Sequence, residues 1–229
     1  MLNRSSGRAA RHSPACYKIL MKFIRKSFPV GPLQCNCTVL GDTETGMGYV
    51  FDPGGHPQRI MATVAELGLN IIGIVHTHAH LDHFLAAGDI RRLTGAPIWL
   101  HRSDQFLWDS LEEQCTSFGV PYIPQPDPDH WLEHEQALEC GGLCIHTPGH
   151  TPGSASFYFK DDRLLLAGDT LFLGSVGRTD FPGGDAQALK NSIQQRLYSL
   201  DESAVVVTGH GPETSIGQEM RNNRFVRAR

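Results

Sequence analysis

Apolar positions along the chain recur in two periods, and the changes between them mark the elements. Val39-Leu40 and Tyr49-Val50-Phe51 flank the turn-rich stretch G-D-T-E-T-G-M-G, a pattern that predicts a β-hairpin running into D-P-G-G. Ile60, Val64 and Leu67 fall at helical spacing and stop at Gly68, where a glycine C-terminal signal ends the helix. Short apolar runs at 71–75, 97–100, 143–146, 156–159, 164–167 and 204–207 read as buried strands. Helices are expected from Asp82 and His83 to Gly95, from Ser103 to about Phe118, and from Asp185 with Leu189, Ile193, Leu197 and Leu200 inward. A Pro-rich loop separates the halves at 121–128. Mixed strands and helices fit a layered α/β domain, while periodicity alone leaves open whether there is one sheet or two.

Composition adds bounds. At 229 residues, 40% hydrophobic and 19% charged, the chain suits one well-buried domain, and it has no unbroken apolar run of bilayer length. The formal charge of −4 is uneven: Arg4, Arg8, Arg11 and Lys18 fall in 1–20 without an acid, leaving 16 basic against 24 acidic side chains in the remainder. An acidic body is a poor partner for nucleic-acid phosphates, so neither DNA or RNA nor a membrane is expected as a partner. Residues 1–20 are Arg- and Ser-rich like a transit peptide but lack a secretory apolar core. They are read as an N-terminal extension, disordered or a mis-assigned start, ahead of one domain at 21–229, with cytoplasmic location preferred over organelle import. The six cysteines form no even ladder and no C-x2-C pair, so free, reduced thiols are expected.

What the strand ends carry points to chemistry. The strand at 71–75 runs into T-H-A-H-L-D-H, 143–146 leads to P-G-H-T-P-G, 164–167 to G-D-T and 204–207 to G-H-G. Four apolar strands thus each deliver His or Asp into the following loop, three of them glycine-bearing, and neutral imidazole with carboxylate is the donor set of zinc and similar divalent ions. Residues two apart in extended chain project to one side, so His78 and His80 can grip one ion. Asp82 and His83, where the chain turns helical, can address a second. His150 completes the first site, His210 the second, and Asp169 can bridge. Two such ions against two carboxylates leave net positive charge, suited to an oxyanion forming on a carbonyl. His76 and His146 sit on or beside strands and are assigned packing or supporting roles.

These motifs, with G-D-T-L-F and T-G-H-G-P-E-T, resemble the ordered ligand motifs of the metallo-β-lactamase superfamily, in particular its short, single-domain glyoxalase II-like hydrolases. The resemblance covers about residues 22–219 and implies an αββα four-layer sandwich with a binuclear metal centre at one edge. It implies two divalent ions, zinc first, with iron or manganese admissible on the same ligands. It also implies a metal-dependent thioester hydrolase acting through a metal-bound hydroxide, with S-D-lactoylglutathione or a related hydroxyacyl thioester as substrate and Asp82 orienting or deprotonating the water. No G-x-S-x-G elbow is present, which weighs against a serine hydrolase.

With 19 residues following His210, the fit expected is to the short branch, without the helical C-terminal domain of long glyoxalase II enzymes. In the loop after Asp169, Arg178 matches a basic residue that such enzymes use on a substrate carboxylate, and Phe181 is the nearest aromatic behind it. Two alternatives remain open: a mono-iron persulfide dioxygenase, which also carries G-R-T-D-F, and a metal-binding module without turnover. An antibiotic-hydrolysing lactamase is disfavoured, because the chain shows no export signal and those enzymes do not place Asp at the bridging position. The oligomeric state stays open.

Overall fold

The computed structural model describes residues 22–228; the extension expected over 1–20 and Cys16 lie outside it. Two sheets form the centre. The first runs β1 (Phe23–Val30), β2 (Cys35–Asp42), β3 (Met47–Phe51), β4 (Asn70–Val75), β5 (Ile98–His101) and β6 (His130–Leu132) in spatial order, antiparallel as far as β3 and parallel beyond it. In the second, β7 (Leu143–His146), β8 (Ala155–Phe159) and β9 (Leu164–Gly168) form a meander. A two-stranded ribbon, β10 (Leu171–Phe172) with β11 (Ser175–Val176), carries the chain past the strand ends. β12 (Val205–Thr208) then lies parallel to β9, and β13 (Thr214–Ser215) closes the edge.

The strands alternate between layers because successive side chains point to opposite faces. Leu164 and Leu166 of β9 enter the core between the sheets, while Leu165 and Ala167 face outward into a separate cluster. Tyr49 and Phe51 likewise enter the inter-sheet core with Phe157 and Phe159, whereas Val50 faces the other way. Both outer faces are then covered. α1 (Pro57–Leu67), α2 (Ala87–Thr94), α3 (Gln105–Asp109) and α4 (Leu111–Phe118) pack Ile60, Val64, Ile90, Leu107 and Leu111 on the first sheet. α5 (Ala186–Ser192) and α6 (Ile216–Asn222) pack Leu189 and Ile216 on the second. The result is the αββα sandwich, and its three apolar layers explain why most strands read as continuous apolar runs.

Three expectations change. The helix expected from Asp82 begins as a single 3₁₀ turn at Leu81–His83, and α2 starts only at Ala87. The helix expected over 103–118 is broken at Ser110 into α3 and α4. The helix from Asp185 starts where expected, with that carboxylate capping the Gln187 and Ala188 N–H groups, but it widens to a π-helical turn over Ile193–Leu197. The five described cysteines are free and buried, and among the described residues no helix is long and apolar enough to cross a membrane.

Candidate metal centre

All seven residues singled out at the strand ends meet in one cleft at the edge of the sandwich. They are held there by a frame that begins with Asp52, at the end of β3. Its carboxylate accepts the Thr77 N–H at 2.8 Å and the Thr77 hydroxyl at 2.8 Å, fixing the first turn of the loop after β4. With its proton committed to Asp52, the Thr77 hydroxyl accepts from His78 Nδ1 at 3.0 Å, which leaves His78 Nε2 as a bare lone pair. His150 is fixed in the same sense, donating from Nδ1 to the Arg178 carbonyl at 2.7 Å. Asp52 Oδ2 also lies 3.1 Å from His83 Nδ1, turning His83 Nε2 inward.

The consequence is an arrangement that needs a cation. His78 Nε2, His150 Nε2 and His80 Nδ1 lie 2.9 to 3.2 Å from one another. Two of these atoms carry lone pairs by their outer partners, so one proton cannot satisfy all three contacts; an ion accepting all three lone pairs can. Burial, then the neighbouring imidazoles, holds His78 well below the usual histidine range and His80 down at about 3, so both are in the neutral form a metal requires. Burial likewise lowers His150.

Beside this triad, Asp82, His83 and His210 form a second group whose ligand atoms lie within 4.8 Å of one another. His210 Nε2 is 3.1 Å from Asp82 Oδ2, and among the described residues the ion-pair partners of Asp52, Asp82 and Asp169 are all histidines. Burial opposes ionisation of Asp82, but His83 and His210 outweigh it and hold the carboxyl well below its usual range. Burial also opposes charge on His83 and His210, yet both are pushed upward, His83 by the Cys35 sulfur and then Asp82, Asp52 and Asp169, His210 by Asp82 and Asp169, which marks a site short of positive charge. His83 Nε2 and Asp169 Oδ1 are buried without hydrogen-bond partners, 3.5 Å apart. Asp169 reaches both groups, with Oδ2 3.6 Å from His150 and 3.7 Å from His210. These donors fit one ion in each group with Asp169 between them.

The remaining residues divide. Arg178 and Phe181 line the cleft mouth, and the Phe181 ring lies 5.2 Å from that of His80. The Arg178 guanidinium is exposed, paired through two contacts of 2.8 and 2.7 Å with Asp180, and 4.1 Å from the Phe181 ring. His76 is buried outside both groups, against Trp108 and Phe84, with Nδ1 3.2 Å from the His83 carbonyl; His146 stacks on His101 and contacts the Pro152 carbonyl.

Sequence reasoning missed the frame. Asp104, fully buried after β5, accepts from Ala79 N–H at 3.0 Å, the Thr151 hydroxyl at 2.8 Å and Gly153 N–H at 2.6 Å. It thereby ties the His78–His80 loop to the His150 loop. Gln114 of α4 grips the same first loop, accepting from Leu81 N–H and donating to the Ala79 carbonyl. Asp52 carried a usable signal, an acid at a strand end before Pro-Gly-Gly like the other strand-end ligands. Asp104 and Gln114 carried none.

Fold and site together define a metallo-hydrolase. The chain belongs to the metallo-beta-lactamase superfamily, whose sequence model matches residues 30–210. It is 39% identical over 206 residues to the hydroxyacylglutathione hydrolase GloC of Haemophilus influenzae, covering 88% of this chain and 97% of that protein, so the relative is also of single-domain size. Among solved structures, the BLEG-1 B3 metallo-beta-lactamase is 37% identical with a TM-score of 0.82, covering 89% of this chain and 99% of that one. TTHA1623, determined in a di-iron-bound form, is 36% identical with a TM-score of 0.82, covering 88% and 100%. The superfamily implies divalent metal; the iron in this neighbour leaves its identity free.

Proposed function

We propose that this protein is a hydrolase of thioesters, acting on S-D-lactoylglutathione or a closely related hydroxyacyl thioester. The observation that carries the proposal is the pair of facing donor groups spanned by Asp169. One ion would be held by His78, His80 and His150, the other by Asp82, His83 and His210, with zinc the first choice. Such ions supply Lewis acidity, making water reactive near neutral pH and stabilising charge on an acyl oxygen. Around them this chain's residues have separable tasks. Asp52, through Thr77, and the Arg178 carbonyl hold His78 and His150 with their lone pairs inward. Asp82, kept ionised by His83 and His210, orients the attacking water. The Arg178 guanidinium meets a substrate carboxylate at the mouth, and Phe181 screens the His80 side from bulk water. In the net reaction the water oxygen bonds to the acyl carbon, the carbon–sulfur bond breaks, and carboxylate, thiol and a proton are released.

The similarity to GloC supports the glutathione thioester. Residues 21–229 are taken as one domain working on a small molecule in the cytoplasm. The test is kinetics of the metal-loaded protein on S-D-lactoylglutathione beside other thioesters, a β-lactam and glutathione persulfide, with metal analysis of the same sample. Two metals per chain and thioester turnover are expected, with His80→Ala folded, inactive and metal-depleted. One iron per chain with sulfite formation would replace the proposal with the dioxygenase reading; β-lactam turnover without thioester turnover would replace it with a lactamase.

A further inference from the structure

Resting on the thioester reading, we infer that the cleft is built for a larger, apolar acyl group, of the size of a hexanoyl chain or an aryl ring. The cavity that takes in the two donor groups and Arg178 has a volume of about 740 Å³, within the range that engulfs a drug-sized molecule and more than the thioester of a three-carbon hydroxyacyl group fills. Its wall is aromatic. The Phe181 ring sits 5.2 Å from His80 and 6.3 Å from Phe118, so a ledge of rings leads away from the triad. α3 adds Phe106 and Leu107 to it, and Phe118 is the last residue of α4. Phe106 and Phe118 remain 44% and 45% exposed, a large apolar surface left facing a cleft, which marks a ligand surface.

Charge points the same way. Arg178 is the only Lys or Arg among the residues lining the cavity, and two of its N–H groups are engaged by Asp180. Glu113 is the acid on the α4 side. A glutathionyl group carries two carboxylates and one ammonium, a net negative charge; its carboxylates gain nothing along the Phe118 and Phe106 rings and are drawn to the Arg178 side. The wall is left for the acyl group, which leaves as a carboxylate when water adds to its carbonyl carbon and the thiol departs.

The test uses the metal-loaded protein and two series. Binding of the non-hydrolysable thioethers S-methylglutathione and S-hexylglutathione is measured by calorimetry, and kcat/KM is measured for S-acetylglutathione, S-hexanoylglutathione and S-D-lactoylglutathione. Each methylene buried contributes about fourfold in affinity, so even partial burial of the hexyl chain makes it at least ~10-fold tighter than methyl. A similar preference is expected in kcat/KM for hexanoyl over acetyl. Phe118→Ala should reduce the hexyl-to-methyl ratio by about fivefold, with circular dichroism and metal content checking the fold; if that variant does not fold, Phe106→Ala serves. Equal affinities for the two thioethers, with lactoylglutathione still hydrolysed, would overturn the apolar acyl subsite and leave the thioester reading standing. Failure to hydrolyse any thioester with both metals loaded would overturn both.

Discussion

Replacing Asp104 with asparagine probes how the two halves of the metal centre are held together. The carboxylate accepts three hydrogen bonds, from Ala79 N–H, Thr151 Oγ1 and Gly153 N–H, and an amide of the same shape must turn its NH2 toward one of these donors. The lost bond and the unpaired donor cost about 1–3 kcal/mol. Against this stands burial, which drives the Asp104 carboxyl up to about 6, with the three hydrogen bonds only partly offsetting it. Between about pH 4 and pH 6 the folded protein therefore keeps a proton that the unfolded chain has released, and stability falls as pH rises through that window. Every tenfold difference in proton affinity between the folded and unfolded chain is worth about 1.4 kcal/mol, so wild type should lose about 3 kcal/mol across the window that the asparagine variant does not. Near pH 4, where the wild-type carboxyl is protonated, the variant should be the less stable by the hydrogen-bond cost of about 1–3 kcal/mol; toward pH 7 that gap should close or reverse, shifting by about 3 kcal/mol. Urea unfolding followed by circular dichroism, in excess chelator so that metal occupancy is equal, measures the difference. A stability difference that is the same at pH 4 and pH 7 would refute the reasoning, because Asp104 would then titrate as it does in the unfolded chain.

Other positions test the frame and the mouth of the cleft. Thr77→Val removes the hydroxyl between Asp52 and His78; metal affinity in a competing-chelator titration should fall about 10- to 100-fold, and an unchanged affinity would remove Thr77 from the frame. Gly54→Ala would place its Cβ 1.6 Å from the Asp82 carbonyl oxygen, so the variant should lose more than about 3 kcal/mol or fail to fold; a wild-type Tm would contradict that close approach. Arg178→Ala should raise KM for a glutathione thioester about 10-fold with kcat nearly unchanged, and Asp180→Asn, by releasing the guanidinium, should lower it; KM values that do not move would take Arg178 out of the substrate site.

The order of elements was legible in the sequence, as were the seven candidate ligands, because both depend on local pattern. Alternating and helical apolar spacing is set by backbone geometry, and each candidate ligand lies in the loop that follows a strand. The weaker elements were not legible. β1 is an edge strand whose Arg25 and Lys26 break its apolar pattern, and β6 is three residues long. The start of α2 was misplaced because Asp82 and His83, which look like a helix opening, are held in a 3₁₀ turn, with His83 drawn toward Asp52 and His210 toward Asp82. Only the tertiary structure decided what orients the ligands. Asp52 lies 25 residues before Thr77, and Asp104 lies 47 before Thr151. The carbonyl that fixes His150 belongs to Arg178, 28 residues on and singled out for its side chain alone. A metal ligand announces itself by residue type and place on a strand end, whereas the group that aims it can be any donor or acceptor the fold brings within about 3 Å. That is a property of how strands from two sheets meet at one edge, and no local spacing records it.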